Sequence, residues 1–346
     1  MKISIIGATG YTGAELLRIL ASHPAAEVKY ITSESQPGAA ITDIYPHLTR
    51  FYTQKLVNME ALDKIATESD VIFIGLPHGH AMEVGRKATA ANPKVKIIDL
   101  GADYRFKNHD VYEQWYKVPH THRDATAVYG LTELNRSQVR EANIVGNPGC
   151  YTTASILALA PLVKNKLVDL TTIIVDAKSG VSGAGRGLNL GSHFTEVFES
   201  VKAYNVGGHR HTPEIEEVLS GLAGEEILIN FTPHLIPMAR GILSTCYAKL
   251  KAGVTTETVD EAYTSLYGKE YFVRLLGRGG CPATKNTRSS NFCDLGWHVD
   301  NRTGRVIAVA AIDNLVKGAA GQAVQNMNVM FNLEEWTGLD HAPVYP

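Results

Sequence analysis

The chemistry of this chain is concentrated in a lone thiol at the start of a helix. In Asn147-Pro148-Gly149-Cys150-Tyr151-Thr152-Thr153, Cys150 stands where an apolar strand (Ile144, Val145) gives way to a helical pattern from Ser155 to Leu162. A helix N-terminus presents unpaired backbone N–H groups and partial positive charge, which favour thiolate over thiol and lower a free pKa of about 8.5. The same N–H groups can hold a carbonyl oxygen as it gains charge. An arbitrary free cysteine is a small buried hydrophobe; the Gly-Cys step at a helix start reads instead as a nucleophile. Such a nucleophile needs an acid or base nearby. His209-Arg210-His211-Thr212-Pro213-Glu214 offers two imidazoles at a second helix start, where Thr212 is expected to cap and Pro213 to take the first turn. A leaving phosphate needs a cation. Arg105 in Gly101-Ala102-Asp103-Tyr104-Arg105-Phe106 follows a central strand, where open α/β sheets bind ligands, and it serves either that purpose or an ion pair with Asp99 or Asp103.

The second chemical motif is Gly7-Ala8-Thr9-Gly10-Tyr11-Thr12-Gly13, placed between the first strand and the first helix. That context is the one a dinucleotide fingerprint requires, here in the variant spacing G-x-x-G-x-x-G. Gly7 permits the tight turn, Gly10 lets the backbone approach a pyrophosphate, and Gly13 allows close helix packing. Together with an activated thiol, a dinucleotide site points to attack of Cys150 on an acyl carbonyl, giving a thioester that exchanges hydride with a nicotinamide. A short-chain dehydrogenase would need Tyr-x-x-x-Lys on a helix. The one such spacing, Tyr247 to Lys251, falls in a segment that alternates like a strand.

These motifs need a scaffold, and the pattern supplies one. Strands at Lys2 to Ile6, Val28 to Thr32, Val71 to Ile74 and Val95 to Leu100 alternate with helices at Thr12 to Ala21 and His80 to Ala91, which predicts a Rossmann-type α/β domain with a parallel sheet. After Cys150 the texture changes to longer alternating strands (Thr172 to Ala177, Glu226 to Phe231, Leu243 to Leu250, Val306 to Ala311), predicting an α+β second domain. The division expected is a dinucleotide-binding domain, 1–149, completed by a C-terminal helix 318–346, and a second domain, 150–317. A single helix is expected from Asn314 to Met330.

With 346 residues, 45% hydrophobic, 20% charged and a formal charge of −2, the chain reads as globular, with a small-molecule partner rather than nucleic acid or an anionic membrane. The absence of a bilayer-length apolar run and of signal-peptide features places it in the cytoplasm. Four widely spaced cysteines form no C-x-x-C, and no histidine pair has a partner at finger spacing, so no disulfide frame or metal site is expected.

The strings Leu76-Pro77-His78-Gly79, Gly146 to Tyr151, Lys178 to Arg186, His209 to Glu214, Thr232 to Met238 and Asp313 to Gln322, together with the glycine turn, cover nearly the whole chain. On them the sequence resembles the N-acetyl-gamma-glutamyl-phosphate reductases of arginine biosynthesis, relatives of aspartate-semialdehyde dehydrogenase. The resemblance implies an NADP-dependent, homodimeric or homotetrameric enzyme that reduces N-acetyl-glutamyl 5-phosphate to the 5-semialdehyde. It puts Cys150 in the nucleophile's place, His211 in the acid/base place with Glu214 beside it, and Arg105, Asn147 and His209 toward substrate. Toward the cofactor it puts Gly7, Thr9, Gly10, Tyr11, Thr12, Gly13, Ser33, Ser35, Pro77, Ser179, Gly180, Gly183, Asn314 and Lys317. Two departures stand out. Thr152 replaces a proline found in many members. Glu34 ends the second strand where many carry arginine for the 2′-phosphate, which leaves NAD open; Ser33 and Ser35 can donate to phosphate if Glu34 turns away. The other readings are a non-catalytic dinucleotide sensor, with no use for Cys150 and His211 together, and a sister reductase of aspartyl or carrier-linked aminoadipyl phosphate.

Overall fold

The computed structural model describes residues 1–345, which divide into two compact units. The first comprises Met1–Gly149 and Ala319–Asp340; the second runs Cys150–Gly318 and takes in the residues from His341.

The first unit is built on β1 (Lys2–Ile6), β2 (Glu27–Ile31), β3 (Val71–Ile74), β4 (Lys96–Asp99), β5 (Ala127–Tyr129) and β6 (Ile144–Gly146). All pair in parallel, in the order β2-β1-β3-β4-β6-β5. Central strands of such a sheet are covered on both faces, and β3 is buried at every position. The chain leaves β1 toward β2 on one side and resumes at β3 on the other. That reversal makes a crevice at the carboxyl ends of β1 and β3, the usual ligand position in open α/β sheets. Helix Gly321–Met330 packs against β4 and against helices Tyr11–Leu20 and Thr132–Glu141.

The second unit carries a mixed sheet of β7 (Val168–Gly180), β8 (Lys202–Ala203), β9 (Asn230–Ile236), β10 (Ile242–Leu250), β11 (Val273–Arg278), β12 (Cys293–Asp300) and β13 (Arg305–Ile312), in the order β11-β12-β13-β10-β7-β9-β8. Helix Cys150–Lys164 packs on β7, β10 and β13 and against helices Thr212–Ala223 and Thr256–Tyr267. It is apolar all round, as a helix enclosed by a sheet and two helices must be. Tyr263 and Tyr267 donate to its Ala158 and Leu157 carbonyls at 2.6 and 2.9 Å, fixing it further.

Two elements differ from the sequence expectation. The strand expected at Glu226 to Phe231 lies later, because β9 pairs with β7 from Ile174↔Asn230 to Gly180↔Ile236. Pro233, which cannot donate to a ladder, is tolerated beside the two-residue β8, and its carbonyl still accepts from Tyr204 N at 3.1 Å. The helix expected from Asn314 begins as a π-turn, Val316–Ala320, before the α-helix at Gly321. The cause is Asp313. Its carboxylate takes the N–H groups of Leu315 and Val316, and its carbonyl takes that of Gly318 five residues on. Among the described residues no helix is long and apolar enough to cross a membrane.

Candidate active site

In the first unit, the turn after β1 is shaped by contacts that only glycine allows. Gly7 adopts φ +83°, and a Cβ there would come within 2.5 Å of Gly75 O at the end of β3. At Gly13 a Cβ would meet Ala8 O at 2.5 Å, so the helix Tyr11–Leu20 sits hard on its own strand. Gly10 differs: the nearest protein atom to its missing Cβ is 3.9 Å away. The opening lies at a helix start, where backbone N–H groups suit a pyrophosphate. Gly7 N donates to Thr32 Oγ1 at 3.1 Å and Tyr45 OH donates to Thr9 O at 2.8 Å, bracing the turn. Tyr11 is exposed at the first helical position, with Thr12 next to it.

At the end of β2, the hydroxyls of Thr9 and Ser33 lie 3.5 Å apart and those of Ser33 and Ser35 3.3 Å apart. The exposed Glu34 accepts Met59 N–H on Oε1 at 2.8 Å. The carboxylate therefore has a partner of its own, and the row of hydroxyls suits a phosphate. Pro77 opens the turn after β3, whose Gly79 and Ala81 N–H groups are both accepted by the buried Asp103 carboxylate.

Arg105 is buried in the loop after β4. Its Nε donates to Asn147 O at 2.7 Å and one terminal nitrogen to Leu100 O at 3.1 Å. Its charge also lies close to Asp99, whose carboxyl burial pushes up to about 7, helped by Asp103 and opposed by Arg105. Asn147 is 1% exposed and turned into the protein: Nδ2 donates to Ala319 O at 3.1 Å and Oδ1 accepts from Asn326 at 3.0 Å. A side chain so enclosed suits holding Arg105 better than touching substrate.

In the second unit, Cys150 is the first residue of helix Cys150–Lys164 and is half-buried. Gly318 faces it, and a Cβ at Gly318 would lie 2.8 Å from Cys150 Cβ. The next residue organises the histidines. The Tyr151 ring meets His209 edge-on at 5.6 Å and His211 at 6.1 Å between centroids, and the two imidazoles are 4.8 Å apart. Tyr151 OH donates to His234 O at 3.0 Å and accepts from Tyr204 OH at 3.2 Å. Burial, reinforced by Tyr204, raises the Tyr151 pKa, and burial raises that of Tyr204 to about 12; both hydroxyls also feel a charge on Cys150. Both hydroxyls stay protonated at neutral pH.

His209 accepts His211 N–H on Nδ1 at 3.1 Å, which puts its own proton on Nε2. Burial, with the neighbouring Arg210, holds its pKa down to about 4. The helix after these histidines is Thr212–Ala223, with His211 at the cap position. Thr212 was expected to be the cap and is instead the first helical residue, its hydroxyl without a hydrogen-bond partner among the described residues; Pro213 follows in the first turn. Glu214, buried in that turn, accepts the Thr152 hydroxyl at 2.8 Å, tying the two helix starts together. The threonine that departs from the family's proline thus makes a bond that proline cannot.

At the end of β7 and the start of the loop that follows it, the protein's own atoms come close to two glycines. A Cβ on Gly180 would meet the backbone of Ala239 and Arg240 at 2.9 Å, and one on Gly183 would meet Ser179 Oγ at 2.8 Å. Asn314 fastens this loop, accepting Gly241 N–H at 2.7 Å and donating to Ser182 Oγ at 2.9 Å. Lys317 is fully buried, its ammonium 5.6 Å above the Phe272 ring. Sequence reasoning missed Tyr204, the Tyr151 ring and Arg240, which pairs with the buried Asp313 at 3.0 Å. A tyrosine beside the nucleophile was the one local signal available.

The semialdehyde dehydrogenase NAD-binding domain profile matches residues 2–142, and the semialdehyde dehydrogenase dimerisation domain profile matches residues 150–314. N-acetyl-gamma-glutamyl-phosphate reductase of Pelotomaculum thermopropionicum is 56% identical, covering 100% of this chain and 99% of its own. The reductases of that name from Geobacter sulfurreducens and Thermoanaerobacter pseudethanolicus are 53% and 50% identical over 100% of both chains. Among solved structures, aspartate semialdehyde dehydrogenase II of Vibrio cholerae, complexed with ASA, covers 96% of this chain and 98% of its own at TM-score 0.71 and 18% identity. The Candida albicans enzyme with NADP covers 95% and 98% at TM-score 0.69 and 15% identity, a likeness of fold.

Proposed function

The chain belongs to the N-acetyl-gamma-glutamyl-phosphate reductases of the semialdehyde dehydrogenase family, and from that premise we propose how its residues carry the reaction. The reaction reduces N-acetyl-glutamyl 5-phosphate to N-acetyl-glutamate 5-semialdehyde and releases phosphate, in arginine biosynthesis. Cys150 Sγ attacks the acyl carbonyl: the carbon–sulfur bond forms, the carbon–oxygen bond to phosphate breaks, and a thioester remains. His211 takes the thiol proton as sulfur attacks and returns one when the aldehyde departs. The N–H groups at the start of helix Cys150–Lys164 stabilise the oxyanion. Glu214 and His209 orient His211, and Arg105, held by Asn147, takes the phosphate. Bound NADPH supplies the hydride that reduces the thioester.

The cofactor's pyrophosphate is held by Gly7, Thr9, Gly10, Tyr11, Thr12 and Gly13, and its 2′-phosphate by Ser33 and Ser35. Pro77 in the first unit, and Ser179, Gly180, Gly183, Asn314 and Lys317 in the second, are further candidates for binding the cofactor. The observation that carries this reading is a cysteine at the first position of a buried helix, with two imidazoles gathered on the ring of the next residue. The test is phosphate-dependent reduction of NADP with N-acetyl-glutamate semialdehyde beside aspartate semialdehyde. Turnover with the first and little with the second is expected, and the reverse order would put the chain with the sister reductases.

The protein assembles with itself, and we infer a homodimer formed through the sheet face opposite helix Cys150–Lys164. The register sets Ile174, Tyr247 and Ile307 in one row on that face, and Ile174 is 39% exposed. Light scattering should give a dimer or a multiple of one, dissociated by Tyr247→Asp; a wild-type monomer would refute it. For a biosynthetic reductase of this family we infer the cytoplasm as its compartment.

A further inference from the structure

Asn326 lies in helix Gly321–Met330 and is fully buried. Its amide spends its bonding atoms inside the first unit. Nδ2 donates to Gly130 O at 2.8 Å and to Asn147 Oδ1 at 3.0 Å, while Oδ1 accepts from Thr132 Oγ1 at 2.7 Å and Gln322 Nε2 at 3.4 Å. Only one orientation satisfies these partners, because the two facing oxygens cannot donate. Room for the amide comes from Gly130, where a Cβ would lie 2.4 Å from Asn326 Nδ2. Asn147 is in turn pinned at every polar group. Its N–H goes to Asp99 O at 2.8 Å, its Nδ2 to Ala319 O, and its carbonyl accepts Arg105 Nε at 2.7 Å.

We propose that Asn326 is a positioning residue for Arg105, acting through Asn147: the amide fixes Asn147, and Asn147 fixes the carbonyl on which the guanidinium hangs. The inference rests on the reading of Arg105 as the phosphate-holding group. A guanidinium matches phosphate only in a set direction, so a small rotation of its support weakens the contact without removing the charge.

The test uses the full chain in the semialdehyde-plus-phosphate direction, with KM and kcat measured for phosphate and NADP. Asn326→Asp keeps the shape but replaces both donors with oxygen. It is expected to raise the phosphate KM by about tenfold, with kcat at saturating phosphate and the NADP KM within about twofold of wild type. Should that variant not fold, Asn326→Ser, which loses the reach to Asn147 without adding charge, carries the same expectation. Thr132→Val cuts the bond on the far side of the amide and leaves both donors in place, so it should lower the melting temperature and spare the phosphate KM. Arg105→Lys is measured alongside and should raise the phosphate KM. A normal phosphate KM in Asn326→Asp beside a raised one in Arg105→Lys overturns the inference alone. An equal rise in Thr132→Val overturns it too, as general loosening. A normal value in Arg105→Lys overturns the reading of Arg105, and the inference with it.

Discussion

Cys150 and Cys246 belong to one unit and to elements packed on each other, helix Cys150–Lys164 and β10. Cys246 points inward at mid-strand, is 1% exposed, lies 3.5 Å from Ser244 Oγ, and burial pushes its thiol up to about 12. Cys150 sits half-buried at the first position of its helix, with the Tyr151 and Tyr204 hydroxyls and two imidazoles gathered around the next residue. Cys246 is wholly enclosed and Cys150 partly so. What separates them is the helix end and the polar groups that converge there, since desolvation alone disfavours the thiolate.

The sharpest way to break this contrast is to remove each sulfur in turn. Cys150→Ser should leave less than about 1% of turnover while the NADPH dissociation constant stays within about threefold, because the hydroxyl is far less acidic than the thiol. Cys246→Ala should keep most of the activity. Loss of cofactor binding in the first variant would mean misfolding, and equal losses in both would erase the distinction.

The imidazoles come next. His211→Asn should lower kcat by about a hundredfold, the scale for a positioned acid/base, and His209→Asn by less. With a pKa of about 4, His209 is neutral throughout pH 5–8. The pH profile of kcat/KM over that range should survive His209→Asn and change in His211→Asn. A profile lost with His209 would reverse the assignment.

A smaller effect tests the space around the reactive sulfur. In Gly318→Ala the new methyl would press on Cys150 Cβ, where the gap is 2.8 Å. The rate of alkylation at Cys150 and kcat should each fall by about tenfold, with the exposed Cys281 reacting as before. An unchanged Cys150 would show that the neighbouring backbone yields. The smallest change expected is at the cofactor. Glu34→Arg should tighten NADPH severalfold more than NADH, as a charge-assisted bond replaces a carboxylate turned to Met59. Equal effects on both cofactors would place residue 34 away from the 2′ position.

The features legible in the sequence are those written in consecutive residues. The glycine turn after β1 and the Gly-Cys step need only their neighbours to be read, because a strand end, a positive φ and a helix start are local matters. Residues joined only by folding left no such mark. Thr152 and Glu214 are 62 residues apart, Asn147 and Asn326 are 179 apart, and Tyr204 meets Tyr151 across 53. The close approach of Ala239 and Arg240 to Gly180 left no mark either. The shift of β9 past Pro233 was hidden for a similar reason, since only the pairing with β7 selects its register.

The central claim is a covalent bond to Cys150, and the most direct test is a single turnover of N-acetyl-glutamyl 5-phosphate on the enzyme without NADPH, with phosphate release timed and the protein digested for mass spectrometry. One equivalent of phosphate per active site should appear in a burst, with the N-acetyl-glutamyl group on the Cys150 peptide and neither result in Cys150→Ser. A burst that persists in Cys150→Ser, or an adduct on another side chain, would contradict the thioester account.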